Sequence, residues 1–196
     1  MPPDDKETST MVRSDGTYAS LPLKKDTISI AIAQTRVNGV DGKNPAKDIK
    51  NNLDYMLECI DIAQGYGGRS DLICFHEFPI VGFSNWSRED HYRIAIEVPG
   101  PETEEIGKKC QDYGCYIVFG TYAKDPDWPD HILHLMVLMG PDGNVIAKHW
   151  KQRNVRGLFP GSEQYTSAIY DVYDRFIEMY GQDAVTPVAK TDICRL

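Results

Sequence analysis

The chain has 196 residues, 41% of them hydrophobic, which is enough for one substantial core and too few for two comfortable domains. Its 29 acidic residues outnumber its 21 basic ones and give a net charge of −8, without a long basic run. This balance argues against a nucleic-acid or membrane partner, so we expect one domain that binds a small molecule.

The cysteine content and the absence of a leader pattern indicate a compartment. The five cysteines are odd in number and include no C-x-x-C pair, which is typical of reduced, packed thiols. No apolar run is long enough for a membrane span, and residues 1–26 lack the apolar stretch of a signal peptide. We therefore predict a cytoplasmic protein with a disordered polar tail over residues 1–26 and a domain over residues 27–196.

The first part of this domain predicts a strand, a helix and a second strand. Residues 27–34 alternate apolar with small side chains, as a strand does. Pro45 opens a helix in which Ile49, Leu53 and their successors form one apolar stripe before a glycine-rich end. Residues 72–75 are all apolar and predict a strand buried on both faces. This order favours a parallel crossover, in which ligands lie beyond the carboxyl ends of the strands.

Glu77 comes directly after the buried strand, and Pro79 then ends the ladder because it has no N–H. A carboxylate held at a rigid strand end can face a cavity above the sheet. The alternative is a solvated glutamate in an ordinary loop, and on the local pattern alone that alternative is the more common one.

The second part of the domain predicts further helices and strands. A helix with an acidic first turn is predicted over residues 102–113, and a third buried strand over residues 115–122. Apolar residues at helical spacing predict another helix over residues 164–180, and a last strand is expected from about Pro187.

A hairpin in this part delivers a second charged side chain. Apolar residues 133–139 and 145–150 are separated by the turn residues 140–144, so the two strands should pair antiparallel. Lys151 follows the second of these strands, as Glu77 follows the earlier one. A proton-accepting carboxylate and an ammonium that stabilises an oxyanion are two of the three parts needed for acyl transfer; the third is a nucleophile.

Other common sites find no support in the sequence. No serine lies in a G-x-S-x-G motif, no glycine-rich phosphate loop occurs, and no His or Cys spacing suits zinc. His131 and His134 are more often structural than metal ligands at such a spacing, and an isolated lysine such as Lys151 is more often a solvated cation.

Taken together, five segments in this order resemble the nitrilase, or carbon–nitrogen hydrolase, superfamily, over a match that runs from about Thr27 to the end of the chain. The glutamate after the second strand and the lysine after the hairpin are its most specific marks. The segments are residues 31–34, 75–78, 98–103, 140–143 and 148–151.

The resemblance implies an α/β fold, the nitrilase-like α-β-β-α sandwich, and a Glu–Lys–Cys triad. Glu77 would be the general base, Lys151 would stabilise the tetrahedral intermediate, and Glu163 looks like the second glutamate near the triad. The aliphatic amidase and formamidase branch is the closest in appearance. It implies a small amide as substrate, with a nitrile as the competing one, no metal or organic cofactor, and a homo-oligomer of at least two subunits.

Three departures from the family pattern stand out. His76 occupies the place of a usual proline, and His134 the place of a usual asparagine. Residues 191–196 resemble the segment before the nucleophile's strand end, so the catalytic cysteine is expected beyond Leu196; a rival register takes Cys194 itself as the nucleophile.

On the first register, residues 27–196 would form the N-terminal portion of the hydrolase domain, with parts of both sheets and an exposed apolar face. Two alternatives stay open at this point. One is a non-catalytic remnant or subunit, and the other is a plain ligand-binding α/β domain.

Overall fold

The computed structural model describes residues 23–66, 68–155 and 165–196. Glu163 and most of the predicted tail therefore lie outside the described residues. The strands are β1 Ile30–Ala33, β2 Leu72–Phe75, β3 Ile96–Glu97, β4 Tyr116–Lys124, β5 Leu133–Met139 and β6 Val145–Trp150. The α-helices are α1 Ala46–Gly65, α2 Arg88–Ile94, α3 Pro101–Tyr113 and α4 Tyr173–Tyr180, and 3-10 turns cover Ile169–Asp171 and Gln182–Val185.

All six strands belong to one mixed sheet. Its order is β1-β2-β4-β5-β6, with β3 pairing to β4 beside this path. β1, β2 and β4 run parallel, which confirms the predicted crossover, and β4, β5 and β6 run antiparallel, which confirms the hairpin. The expectation that these residues contribute to two sheets is wrong for the described part of the chain, because every strand hydrogen-bonds into the same sheet.

Helices α1 and α3 cover one face of the sheet. The apolar stripe of α1, which includes Leu53, Met56 and Ile60, packs with alternate strand residues in the larger core cluster. Helix α3 begins at Pro101, and the side chain of Thr103 in its first turn accepts the Gly100 N–H at 2.8 Å. Burial of these stripes holds the helices on the sheet.

The other face of the sheet is only partly covered. Leu72, Tyr116 and Leu138 form a small cluster there with Ile193 of the C-terminal segment. On edge strand β1, Ile30 and Ile32 remain 50% and 75% exposed. At the start of the described chain, Lys24 N–H donates to Asp192 O at 2.8 Å and joins the N-terminal segment to this face.

The predicted helix over residues 164–180 is wrong in its length. The α-helix begins only at Tyr173, because Asp171 Oδ2 accepts the Ala168 N–H at 2.9 Å and Val172 leaves the helical region with φ −133°. The predicted last strand is also wrong. Residues 187–196 instead make one isolated bridge, between Lys190 and Arg195, around a tight turn.

Helix α2 was not predicted from the sequence, and its position matters for the site. Its N-terminus is capped by Ser87, whose Oγ accepts the Asp90 N–H at 3.1 Å. Trp86, predicted to lie in a polar loop, is buried and donates Nε1–H to Val40 O at 3.1 Å. The described helices include none with the length and apolar character needed to cross a membrane.

Candidate active site

Glu77 lies two residues after the end of β2, and its backbone packs against the backbone of β4. Gly120 N–H donates to His76 O at 3.1 Å, which extends the β2–β4 contact up to the residue before Glu77. A Cβ at position 120 would lie 2.4 Å from Glu77 O and 2.6 Å from its Cα. Only glycine allows the two backbones to approach this closely. Gly120 therefore allows the backbone of Glu77 to lie directly against β4.

His134, near the start of β5, binds the carboxylate of Glu77. The distance from His134 Nε2 to Glu77 Oε1 is 2.9 Å, and the two side chains are 8% and 53% exposed. The His134 ring stacks on Phe78 and also packs against Tyr122, with centroid distances of 5.2 Å to each. A ring packed in this way has a fixed direction for its N–H donor.

Lys151 is held at the end of β6 by two backbone hydrogen bonds. Its N–H donates to His134 O at 2.8 Å, and its carbonyl accepts the Ile169 N–H at 3.0 Å. The backbone of His134 therefore binds Lys151 while its side chain binds Glu77. The two charged residues that the sequence singled out are joined through one histidine.

The surroundings favour the ionised form of Glu77. The hydrogen bond from His134 lowers the pKa of this carboxyl below its ordinary value, partial burial opposes the change, and electrostatic attraction to His134 and Lys151 lowers the pKa further. The carboxylate is thus charged and half-exposed, and the charge of Lys151 acts on it. This is a suitable state for a group that takes up a proton from a neighbouring reactant.

His76 fixes the strand end rather than adding a charge. Phe78 N–H donates to His76 Nδ1 at 3.2 Å, so Nε2 carries the proton and donates to Thr35 Oγ1 at 2.8 Å. Burial lowers the pKa of His76, which keeps the ring neutral. Both ring nitrogens are thus used to tie the end of β2 to the loop after β1.

An aromatic cluster lies behind these groups. His91 of α2 contacts Tyr122 and Trp86 edge-on, with centroid distances of 4.9 and 5.1 Å. Among the described residues, neither ring nitrogen of this buried histidine has a hydrogen-bond partner, and burial lowers its pKa. His91 therefore belongs to the packing behind the site.

A family model described as Carbon-nitrogen hydrolase matches residues 29–196 of the chain. The chain belongs to the carbon–nitrogen hydrolase family. A formamidase from Bacillus cereus (strain B4264) is 30% identical over 107 residues, which are 53% of this chain and 31% of the relative. A formamidase from Bacillus thuringiensis (strain Al Hakam) is 28% identical over the same length and shares. The chain thus spans about a third of the length of these curated relatives.

Solved structures share the fold. The structure of an N-terminal amidase superposes with a TM-score of 0.56 at 17% identity, over 66% of this chain and 29% of that one. The C. elegans NitFhit protein gives a TM-score of 0.55 at 16% identity, over 72% and 33%. A carbon–nitrogen hydrolase from Helicobacter pylori G27 gives 0.55 at 13% identity, over 72% and 44%. At these identities the likeness shows the fold alone, and it confirms the predicted nitrilase-like class.

Of the site residues predicted from resemblance to this family, Lys151 acts on Glu77 through its charge, which lowers the pKa of the Glu77 carboxyl, and Glu163 lies outside the described residues. The alternative nucleophile Cys194 lies in a turn closed by Thr191, whose Oγ1 accepts the Cys194 N–H at 3.0 Å. Cys194 and Cys74 both pack against the small cluster that includes Ile193, and burial first, and then the charge of Cys194, raises the pKa of the Cys74 thiol. The charged neighbours of Glu77 in the described structure do not include Cys194.

The sequence did not predict the contact of His134 with Glu77, or the close approach of Gly120. The first contact depends on the β4–β5 register, which sets Tyr122 opposite His134 and which no local sequence pattern records. No group of three or more His, Cys, Asp or Glu side chains in the described ranges is arranged to hold a metal ion.

Proposed function

We propose that the protein carrying this chain hydrolyses the non-peptide carbon–nitrogen bond of a small aliphatic amide, giving a carboxylic acid and ammonia. The observation that supports this most is that His134 binds both Glu77, through its side chain, and Lys151, through its backbone, while the Lys151 charge acts on an ionised, half-exposed Glu77. Family membership and the formamidase relatives agree with an amide substrate.

In this proposal Glu77 is the general base. It takes the proton of a cysteine thiol, and the thiolate attacks the amide carbon. The oxyanion of the tetrahedral intermediate is stabilised by the Lys151 ammonium. Glu77 then returns its proton to the leaving nitrogen, so that ammonia departs and an acyl-cysteine remains. Water deprotonated by Glu77 attacks this thioester, which releases the acid and the thiol.

The nucleophile of this scheme is a cysteine that the family resemblance predicts beyond Leu196, with Cys194 as the alternative. Glu163, as a second glutamate beside the triad, is part of the same proposal. Assembly into a homo-oligomer and a cytoplasmic location stay predictions from the sequence.

The reaction is tested by ammonia release from formamide, acetamide and acetonitrile by the full-length protein, and by the same measurement on two variants. Glu77→Gln keeps the shape of the side chain and removes the proton acceptor, so amide turnover should be lost. Lys151→Ala should raise the barrier by a few kcal/mol, about a 100-fold loss in kcat or more. Glu178→Gln and Lys47→Ala change exposed residues of the same types and are the matched controls.

Amide turnover that survives in Glu77→Gln would contradict the assignment of the base. Faster ammonia release from acetonitrile than from either amide would instead favour the nitrile-hydrolysing alternative. Absence of turnover in the wild-type protein with all three compounds would favour the non-catalytic alternatives.

A further inference from the structure

We propose that His134 is the positioning residue of this site: its Nε2–H holds Oε1 of Glu77, so that Oε2 is the oxygen that exchanges protons with the nucleophile. The inference rests on the proposed function and assigns to one side chain the task of orienting the base. It follows from a feature of this sequence, since His134 stands where the family resemblance leads us to expect an asparagine.

The first observation is the contact itself. A carboxylate oxygen only accepts, so at 2.9 Å His134 Nε2 must carry the proton and donate to Glu77 Oε1. No other hydrogen bond to this carboxylate occurs among the described residues. Oε1 is therefore engaged, and Oε2 remains open on a side chain that is 53% exposed.

The second observation is that the donor cannot easily turn away. The His134 side chain is 8% exposed, and its ring is packed between Phe78 and Tyr122. Its backbone is held in the β4–β5 ladder opposite Tyr122 and also accepts the Lys151 N–H. A hydrogen-bond donor fixed by packing and by the sheet orients its partner without a rearrangement during the reaction.

The third observation concerns the other titratable groups around the pair. Lys151 at the end of β6, His76 at the end of β2 and Tyr122 of β4 interact electrostatically with Glu77, and His91 of α2 interacts with His134. Of these, His76 uses both ring nitrogens elsewhere, and the ring of His91 packs against Tyr122. His134 is therefore the residue that donates directly to the base.

The alternative is that His134 is a core histidine whose contact with Glu77 has no part in the reaction. The two readings differ in what happens when the donor is removed and the ring is kept. A purely structural histidine would change stability, whereas a positioning residue would change the protonation of Glu77 and the rate of the chemical step.

The test compares His134→Phe, which keeps a packed ring without a donor, with His134→Gln, which keeps a donor. His131→Phe is the matched control, because His131 is three positions earlier and binds Ser167 Oγ at 2.7 Å instead of Glu77. The pKa of Glu77 is measured on full-length protein labelled with ¹³C-glutamate, with the signal assigned through Glu77→Gln. In parallel, kcat and KM for formamide are measured against pH.

In His134→Phe we expect the pKa of Glu77 to rise, and the acidic limb of the kcat/KM profile to move to higher pH. We also expect kcat to fall about 10- to 100-fold at nearly constant KM. His134→Gln should recover part of both effects, and His131→Phe should match the wild type. If His134→Phe does not fold, His134→Met, which is flexible and also lacks a donor, takes its place.

A folded donor-free variant with the wild-type Glu77 pKa and acidic limb would overturn the proposal, as would a changed pKa with an unchanged kcat. The failure of the proposed function is a different result. It would show as full activity in Glu77→Gln or as no turnover in the wild type, and in both cases the labelled-glutamate titration still decides whether His134 holds the carboxylate.

Discussion

At the scale of single residues, the site depends on a contact between two backbones. Gly120 of β4 lies against Glu77, and there is no space between them for a side chain. Two contacts thus position Glu77: Gly120 packs against its backbone, and His134 binds its carboxylate. Its own sequence neighbourhood, a strand end before a proline, does not by itself determine either contact.

We predict that Gly120→Ala impairs the site. The added Cβ would lie 2.4 Å from Glu77 O, so the end of β2 must move by roughly an ångström. Turnover of formamide should fall about 100-fold, because misplacement of a reacting group by this amount has such an effect. The free energy of unfolding should drop by about 1–3 kcal/mol, as for other overpacked positions.

Ammonia release and urea denaturation measure these two quantities. Gly39→Ala is the matched control, since a Cβ at position 39 meets no atom within 4 Å. If the two alanine variants behave alike, the close approach at Gly120 has no functional role.

At the scale of elements, β6 is attached to the rest of the fold by a buried ion pair. Lys148 Nζ donates to Asp125 Oδ2 at 3.0 Å and to Val98 O at 3.3 Å. The two charged side chains are 7% and 8% exposed. This contact links β6 to the segments after β4 and β3, and β6 is the strand that delivers Lys151.

We predict that Asp125→Asn destabilises the fold strongly. It leaves the Lys148 ammonium buried beside a neutral group, and loss of one partner from a buried pair costs about 3–5 kcal/mol. Urea denaturation provides the measurement. Asp54→Asn removes the partner of Lys50 in a pair whose side chains are 55% and 71% exposed, and it should change stability by no more than about 0.5 kcal/mol. Equal changes in the free energy of unfolding for the two substitutions would show that the buried pair stabilises the fold no more than the exposed pair does.

At the scale of the whole molecule, several carboxylates connect distant parts of the chain. A hydrogen bond from Lys25 is the main cause that lowers the pKa of Asp71, and one from Lys24 is the main cause for Asp192. With Glu77 they form a set of acids that are more acidic in the folded chain than in the unfolded one.

We predict that the free energy of unfolding decreases as the pH is lowered through the acidic range. An acid whose folded pKa is lowered binds fewer protons in the folded state, so its contribution is fully present above the ordinary pKa and is lost as pH falls through the folded value. The loss should therefore begin near the ordinary values of 4.5 for glutamate and 3.8 for aspartate, and continue below them.

Urea midpoints measured between about pH 6 and pH 3 test this dependence. Asp71→Asn should make it shallower, because this variant no longer carries the carboxyl that Lys25 and the Ser29 N–H bind. Midpoints that stay constant over this range would contradict the prediction.

The sequence by itself determined those features that depend on near neighbours. The apolar run before Glu77, the turn chemistry between β5 and β6, and the position of Lys151 directly after an apolar strand are all local patterns. They predicted the crossover, the hairpin and two charged groups at strand ends, and the structure shows each of them.

Only the tertiary structure decided which side chains meet. His134 contacts Glu77 because β4 lies between β2 and β5 and the β4–β5 register sets Tyr122 opposite His134. The end of β2 and the start of β5 are far apart in the chain, and no local pattern records the register that joins them. The late start of α4 has a local reason, because Asp171 Oδ2 accepts the Ala168 N–H and this hydrogen bond competes with helical spacing. Periodicity predicts which face a residue takes, whereas strand order and register determine its partner.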